Sequence, residues 1–213
     1  MQPLLKDFDL FIFDWDGTLS TSTLVVRLSH FFKRRYNPNY IRAHPEEFRQ
    51  PNKINAALDS DEARTLDFFY GIYSFFARPR LREGTIELLE GLKANKKTIA
   101  LFSDGAQGRL NRELRRLGVE KYFDIIVSAE TIRSYKPNPT GVQLVIKRMK
   151  GSKRRSLYIG DMAIDIFTAR FAGVRVCAVG KGLDPYSKLS ACKPDYIFES
   201  TEALARKIEQ KRR

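Results

Sequence analysis

The chain has 213 residues, of which 43% are hydrophobic and 30% charged, and its formal net charge is +13. This balance predicts a folded protein and excludes a disordered chain, and the length suits one domain or a core domain with a smaller insert. No stretch approaches the roughly 18 to 20 apolar residues that span a bilayer, so we expect no membrane partner. Cys177 and Cys192 form no metal or redox spacing, and charged residues interrupt any N-terminal signal peptide. The expected location is therefore cytoplasmic.

Strands alternate with helices along most of the chain. Short apolar runs predict strands over Phe8–Phe13, Thr98–Phe102, Ile125–Val127, Ser156–Ile159, Val174–Val179 and Tyr196–Phe198. Helical spacing of apolar residues predicts helices over Gly84–Asn95, Gln107–Leu117, Thr140–Met149, Ile164–Ala172 and Thr201–Lys211. This alternation predicts an α/β fold, a Rossmann-like and mostly parallel sheet with helices on both faces.

One segment, residues 20–83, interrupts this alternation and contains no convincing strand. Ser22–Tyr36 and Ser60–Ala77 instead show apolar residues at helical spacing. We predict a small all-α cap domain at 20–83, inserted after the first strand. Residues 1–19 and 84–213 then form the core domain.

An acid pair directly follows the first predicted strand. Side chains two apart in extended chain point the same way, so Asp14 and Asp16 can face one site. Close carboxylates repel unless a cation neutralises them, so the pair suits a divalent metal together with a nucleophile and a proton shuttle. The alternative interpretation is a turn in which Asp and Gly serve the backbone geometry.

Candidate anion-binding residues follow the next strands. Ser103, Asp104 and Gly105 come after the second strand and before a helix, whose free N–H groups and dipole favour an anion. Lys136 lies in the proline-containing segment SYKPNP and can neutralise a phosphoryl group as a point charge. Helix capping and a solvated loop lysine are the alternative interpretations.

A second acid pair follows the fourth strand. Asp161 lies at the strand end and Asp165 about one helical turn later, so both can point to the same edge. Carboxylate oxygens are the ligands that Mg²⁺ takes, although Asp165 alone could complement a helix dipole. Since ligands bind outside the carboxyl ends of strands in open α/β sheets, all these groups are expected at one edge.

The order of these motifs resembles the haloacid dehalogenase-like superfamily of aspartate-nucleophile phosphatases. The resemblance covers essentially the whole chain and rests on Asp14 and Asp16 in DWDGTL, Ser103 in LFSDG, Lys136 in SYKPNP, and Asp161 and Asp165 in GDMAID. Within the superfamily, it extends to phosphoglycolate-phosphatase-like members that carry a small α-helical cap.

The resemblance implies a role for each acid. Asp14 would attack phosphorus and form an aspartyl-phosphate, while Asp16 would protonate the leaving group and then activate water. The implied cofactor is Mg²⁺, held by Asp14, by the backbone carbonyl of Asp16 and by Asp161, with Asp165 assisting.

The same resemblance implies how the phosphoryl group is bound. Ser103, Lys136 and the N–H groups near Asp104 and Gly105 would contact its oxygens, and the implied partner is a small phosphorylated metabolite. Two features depart from the usual pattern: Asp104 stands where Asn or Gly is more usual, and Ser20-Thr21-Ser22 replaces an Asp-Ser pair.

Other functions stay open at this point. A phosphomutase, a phosphonate hydrolase or a dehalogenase of the same fold is possible, although Asp16 argues against a dehalogenase. The net charge of +13 could also indicate nucleic-acid binding or a polynucleotide-end phosphatase. However, Lys147–Arg155 contributes +6 and Arg206–Arg213 contributes +4, and both are expected at the amino edge of the sheet, opposite the carboxylates. Nucleic acid is therefore disfavoured as a partner.

Overall fold

The computed structural model describes residues 3–21, 38–49 and 79–209. The two predicted cap helices, Ser22–Tyr36 and Ser60–Ala77, lie outside these residues, as does the end of the chain after residue 209. The division of the chain into a core domain and a cap domain at 20–83 stays a prediction.

A six-stranded sheet forms the centre of the described structure. Its strands are β1 (Leu10–Phe13), β2 (Thr98–Ser103), β3 (Ile125–Ser128), β4 (Ser156–Gly160), β5 (Arg175–Val179) and β6 (Tyr196–Phe198). All neighbours are parallel, and the spatial order is β3-β2-β1-β4-β5-β6. Phe13, the last residue of β1, pairs with Leu101 on one side and Ile159 on the other. The carboxyl ends of β1, β2 and β4 therefore meet at one edge.

Ten α-helices occur in the described residues. The five predicted ones are α4 (Thr85–Ala94), α5 (Gln107–Arg116), α7 (Thr140–Arg148), α8 (Ala163–Ala172) and α10 (Thr201–Glu209). Short helices that span too few residues to show a periodicity were not predicted: α1 (Pro3–Asp7), α2 (Pro38–Ala43), α3 (Pro45–Arg49), α6 (Ala129–Ile132) and α9 (Tyr186–Ala191). Single 3₁₀ turns occur at Glu120–Tyr122 and Lys153–Arg155.

The strands β2, β3 and β4 each end one residue later than predicted. The strands β1 and β5 begin later than predicted because local hydrogen bonds compete with the sheet. Phe8 was expected in the first strand, but its N–H donates to the carbonyl of Leu4 (3.2 Å) and continues the turn of α1. Val174 was expected in the fifth strand, but its N–H donates to the carbonyl of Ala169 (3.0 Å) and closes the end of α8. Apolar character alone does not distinguish such a residue from a strand residue.

Helices cover both faces of the sheet, as predicted. On one face, α7 and α8 pack over buried residues of β1, β2 and β4. On the other face, α1, α4, α5 and α10 pack over the alternate residues of the same strands. Gly91 of α4 lets α10 approach closely, since a Cβ there would lie 3.0 Å from the Cγ2 of Ile208. The α/β fold class is therefore confirmed.

The helix α2 packs against the face formed by α8, although it lies within the predicted cap segment. Ile41 is fully buried in the same apolar cluster as Phe167 of α8. Arg42 donates to the carbonyl of Ala191 (3.2 Å), and its guanidinium lies 5.8 Å from the centre of the Phe167 ring. Residues 38–43 are thus anchored to the core by both apolar and cationic contacts.

The amino edge of the sheet is rich in basic residues, as expected. The six basic residues of Lys147–Arg155 are all exposed there. Asp9 contacts both Arg155 and Lys97, and its hydrogen bonds to Arg155 lower the pKa of its carboxyl to about 2. Among the described helices, none is long and apolar enough to cross a membrane.

Candidate active site

The turn after β1 brings the first acid pair to the carboxyl edge of the sheet. The N–H of Asp14 donates to the carbonyl of Ile159 (2.9 Å), which ties the end of β1 to β4. Gly17 has a φ of +90°, and a Cβ there would lie 2.3 Å from a carboxylate oxygen of Asp161. Glycine is required at this position because both the backbone conformation and the space exclude a side chain.

Three buried carboxylates meet at this edge. Oxygens of Asp14, Asp161 and Asp165 all lie within 4.8 Å of one another. The hydroxyl of Thr18 donates to Asp161 Oδ1 (2.7 Å), and the N–H of Leu183 donates to Asp161 Oδ2 (2.6 Å). These contacts hold the Asp161 carboxylate in one orientation.

Asp165 is held in a similar way. The N–H of Met162 donates to its Oδ2 (3.0 Å), and the hydroxyl of Tyr158 donates to its Oδ1 (3.2 Å). Because Tyr158 lies on β4 and Met162 directly precedes the helix α8, the strand and the start of the helix fix this carboxylate together.

Lys136 enters the acidic cluster from the loop after α6. It is only 3% exposed, and its ammonium contacts the carboxylate of Asp14 and Asp165 Oδ1, the latter at 2.8 Å. The backbone N–H of Lys136 donates to Asp104 Oδ1 (3.0 Å). Asp104, the unexpected acid, thus positions the lysine loop.

The charges in this cluster do not balance. Burial, together with the charges of Asp165 and Asp161, raises the pKa of Asp14 well above its usual range, despite the opposing effect of Lys136. Burial and the neighbouring Asp165 raise the pKa of Asp161 to about 7. For Lys136, burial disfavours the charged form, but Asp14 and Asp165 outweigh this effect and raise its pKa well above 10.5. One ammonium therefore faces three carboxylates, an excess of negative charge that a cation would relieve.

The donor set fits Mg²⁺. Asp14, Asp161 and Asp165 offer carboxylate oxygens at close range, which is what hard divalent cations prefer. The carboxylate of Asp16 is not part of this group, and the predicted contribution of its backbone carbonyl stays a prediction.

A small cavity of about 30 Å³ lies beside the acids, enough for one or two water-sized groups. The Ser103 hydroxyl accepts the N–H of Gly105 (3.1 Å), and Ser128 donates to the carbonyl of Gly105 (2.7 Å), so this loop is held in place. The residues that line the cavity are Asp14, Asp16, Ser103, Asp104, Lys136, Met162, Ile164 and Asp165. Six of these eight belong to the predicted site, and the predicted residues Gly105 and Asp161 are not among those that line the cavity.

Asp16 has a partner that the sequence did not indicate. The guanidinium of Arg109, on α5, binds both oxygens of the Asp16 carboxylate, with 2.8 Å between Nη1 and Oδ1. The same guanidinium contacts Glu113 Oε1 (3.4 Å), and Trp15 Nε1 donates to Glu113 Oε2 (2.7 Å). Burial raises the pKa of Glu113. The Arg–Glu spacing of four residues is the available sequence signal, and it is common on exposed helix faces.

The loop at residues 180–185 was also missed. A Cβ on Gly182 would lie 2.3 Å from Asp161 Oδ2, so this loop packs directly on the carboxylate. Asp184 accepts the N–H of Ala163 (2.7 Å) at the start of α8 and pairs with Lys188 (2.7 Å). No motif marks these residues, because their role depends on a contact across about twenty residues of chain.

The parallel sheet, with a buried aspartate after β1 and two more acids after β4, has the arrangement that the resemblance to haloacid dehalogenase-like proteins implies. The family model of haloacid dehalogenase-like hydrolases matches residues 11–179, and the chain belongs to this family. The expected fold and the expected enzyme class, a phosphatase-type hydrolase of this family, are confirmed.

Named relatives support the same assignment. The chain is 25% identical to the pyrophosphatase PpaX of Oceanobacillus iheyensis over 204 residues, which covers 91% of this chain and 93% of the relative. It is 32% identical over 130 residues to a protein of Caldanaerobacter subterraneus provisionally named pyrophosphatase PpaX. That alignment covers 61% of this chain and 59% of the relative, less than two thirds of its length.

Solved structures share the fold over nearly the whole chain. A protein from Bacteroides fragilis, described as haloacid dehalogenase-like, superposes with a TM-score of 0.70 at 25% identity, covering 92% of this chain and 99% of that one. A protein from Haemophilus somnus, described as a predicted phosphoglycolate phosphatase, superposes with a TM-score of 0.69 at 22% identity, covering 93% and 97%. The second likeness shows the fold alone.

Proposed function

We propose that this protein is a Mg²⁺-dependent phosphatase that hydrolyses a small phosphorylated compound through an aspartyl-phosphate on Asp14. The observation that supports this proposal is the position of Asp14, which is 6% exposed at the end of β1. It shares one site with Lys136, Asp161 and Asp165 and borders a cavity.

In the first step, a carboxylate oxygen of Asp14 attacks phosphorus in line with the leaving group. The bond between phosphorus and the leaving oxygen breaks, and that oxygen takes a proton from Asp16. The Lys136 ammonium and the Ser103 hydroxyl border the same cavity, where they can bind the phosphoryl oxygens.

In the second step, Asp16 takes a proton from water, and the resulting oxygen attacks phosphorus. The bond to Asp14 breaks, phosphate leaves, and both carboxyl groups return to their first state. Asp14, Asp161 and Asp165 would hold Mg²⁺, which supplies neutralisation of the phosphoryl charge when bound.

The proposed substrate class is drawn from the proton donor and from the relatives. A small phosphomonoester suits the proton donor Asp16, because its leaving alcohol needs a proton, and a solved structure with this fold is described as a predicted phosphoglycolate phosphatase. Inorganic pyrophosphate is the second candidate, because relatives that align with 91% of this chain carry the name pyrophosphatase. A location in the cytoplasm stays a prediction.

The decisive experiment replaces the proposed nucleophile. We expect Asp14→Asn to abolish release of phosphate from 4-nitrophenyl phosphate, phosphoglycolate and pyrophosphate, and we expect the wild type to lose turnover when Mg²⁺ is chelated. Asp7→Asn is the matched control, since Asp7 lies in α1 at the opposite edge and is 41% exposed. Phosphate release by Asp14→Asn at the wild-type rate would overturn the proposal.

A further inference from the structure

We infer that Arg109 is a positioning residue that orients the carboxylate of Asp16, with Glu113 and Trp15 holding Arg109 in turn. This inference rests on the proposed function, in which Asp16 passes protons to the leaving group and from water. It assigns a role to a side chain that lies outside the motifs of the sequence.

The contact between Arg109 and Asp16 has the geometry that fixes an orientation. Two N–H groups of one guanidinium reach the two oxygens of one carboxylate. Such a paired arrangement sets the plane of the carboxylate as well as its distance, which a single hydrogen bond does not do. The two side chains are 93 residues apart in sequence, so this orientation depends on how α5 packs on the sheet.

Arg109 is itself fixed on more than one side. Its side chain is 5% exposed, and Glu113 one turn further along α5 accepts from the same guanidinium (3.4 Å). Trp15, which is fully buried, donates its ring N–H to the other oxygen of Glu113 (2.7 Å). Trp15 stands between Asp14 and Asp16 in the chain, so the network leads back to the turn that carries both acids.

The guanidinium also contacts the loop that follows β2. A Cβ on Gly105 would lie 2.2 Å from the Nη2 of Arg109. Glycine at this position therefore leaves the space in which the guanidinium reaches Asp16.

Arg109, Glu113 and Trp15 act on the reaction through Asp16 and not by direct contact with the substrate. Asp16 borders the cavity together with Asp14 and Lys136, and Arg109 is not among the described residues that line it. A proton-transferring group that is displaced by about 1 Å can lose about 10²-fold in rate. Loss of Arg109 should therefore weaken the steps that need Asp16 and spare binding of the phosphoryl group.

Two aryl phosphates of similar shape test this role. Phenolate is a stronger base than 4-nitrophenolate, so departure of phenol depends more on a proton from Asp16. We expect Arg109→Gln to lower kcat/KM for phenyl phosphate about 10- to 100-fold and for 4-nitrophenyl phosphate less than about 3-fold. Arg109→Lys keeps the charge without the paired geometry and should recover part of the loss.

A double-variant cycle tests whether Arg109 acts through Asp16. In the Asp16→Asn background, Arg109→Gln should change kcat/KM for phenyl phosphate by less than about 2-fold, because the group that it orients is no longer there. Arg115→Gln is the control, since it removes the same charge from the same helix at an exposed side chain that pairs with Glu120 at the surface. It should leave both substrates at wild-type rates.

Glu113→Gln provides a second perturbation should Arg109→Gln fail to fold. It keeps the size of the side chain but removes the carboxylate that accepts from Arg109 and from Trp15, and the same difference between the two substrates is expected. Equal losses of kcat/KM on both substrates would overturn the role of Arg109. So would a double variant in which Arg109→Gln lowers kcat/KM as much in the Asp16→Asn background as in the wild type. Turnover by Asp14→Asn would instead overturn the proposed function, so the two failures are distinguishable.

Discussion

Asp161→Asn is expected to stabilise the metal-free protein at alkaline pH and not at acid pH. Asp161 is fully buried, and burial and the neighbouring Asp165 raise the pKa of its carboxyl from 3.8 to about 7. Between pH 3.8 and about pH 7, Asp161 of the folded protein holds a proton that the unfolded chain releases. The free energy of unfolding of the wild type therefore falls as the pH rises through this window. Asparagine has no charge to bury and removes this dependence.

The magnitude follows from two opposing effects. At 1.36 kcal/mol per pKa unit, the shift from 3.8 to about 7 destabilises the wild type by about 4 kcal/mol above pH 7 and by about 2 kcal/mol at pH 5. Asparagine offers one acceptor where the carboxylate accepts from Thr18 and Leu183 through two oxygens. In the variant, one of these two donors lacks its carboxylate acceptor, which costs about 1–3 kcal/mol at either pH. The net gain is then about 1–3 kcal/mol at pH 8 and close to zero at pH 5.

Thermal unfolding at both pH values, with a chelator present, measures this difference. One kcal/mol corresponds to about 2–4 °C in Tm for a domain of this size. The wild-type penalty changes by about 2 kcal/mol between the two pH values, so the Tm of the variant relative to wild type should rise by about 4–8 °C between pH 5 and pH 8.

Asp184→Asn is the matched control, because Asp184 is also buried but is paired with Lys188, outside the group of Asp14, Asp161 and Asp165. Its effect on Tm should be similar at the two pH values. A constant difference between Asp161→Asn and wild type across this pH range would refute the reasoning. Added Mg²⁺ at pH 8 should raise the Tm of the wild type more than that of the variant.

Three further substitutions test other parts of the structure. Gly17→Ala should abolish phosphatase activity and lower Tm, because the backbone is left-handed there and the methyl group would meet Asp161; wild-type activity would contradict this view of the turn. Ile41→Ala should lower the free energy of urea unfolding by about 2–5 kcal/mol, since its side chain is fully buried, and a loss under about 1 kcal/mol would mean that α2 does not pack on the core. Asp9→Asn should cost less than about 1 kcal/mol at pH 7, because Asp9 and Arg155 are both about half exposed. That loss should disappear as the pH falls from 3.8 through about 2, where wild-type Asp9 takes up a proton, and urea unfolding at pH 7 and pH 2 would measure it.

The predicted strands and long helices agree closely with the structure because each buries apolar side chains in a regular pattern. Tyr196–Phe198 was predicted with the bounds that the structure has, and Gln107–Leu117 differs by one residue. Phe8 shows the limit of this reasoning. It is as apolar as a strand residue and fully buried, yet its N–H bonds to α1.

The acids and the lysine of the candidate site could also be predicted from the sequence. Asp14 and Asp161 directly follow β1 and β4, and Lys136 lies in the loop after α6, which follows β3. Parallel strands present such residues at a common edge of the sheet. Their convergence therefore needed only the strand order, without detailed knowledge of the packing. The expected group is found in the structure, with three carboxylates together and the lysine among them.

By itself, the sequence determined the parallel α/β architecture, the edge at which the reactive groups lie and the chemical types gathered there. Periodicity and strand-end position are local properties, and they carry this information directly. Only the tertiary structure decided that Asp16 faces Arg109, that Asp104 holds the lysine loop and that Gly182 packs on Asp161. These contacts join residues 93, 32 and 21 positions apart, and they form because helix packing and loop closure bring buried polar groups to partners that no local pattern specifies.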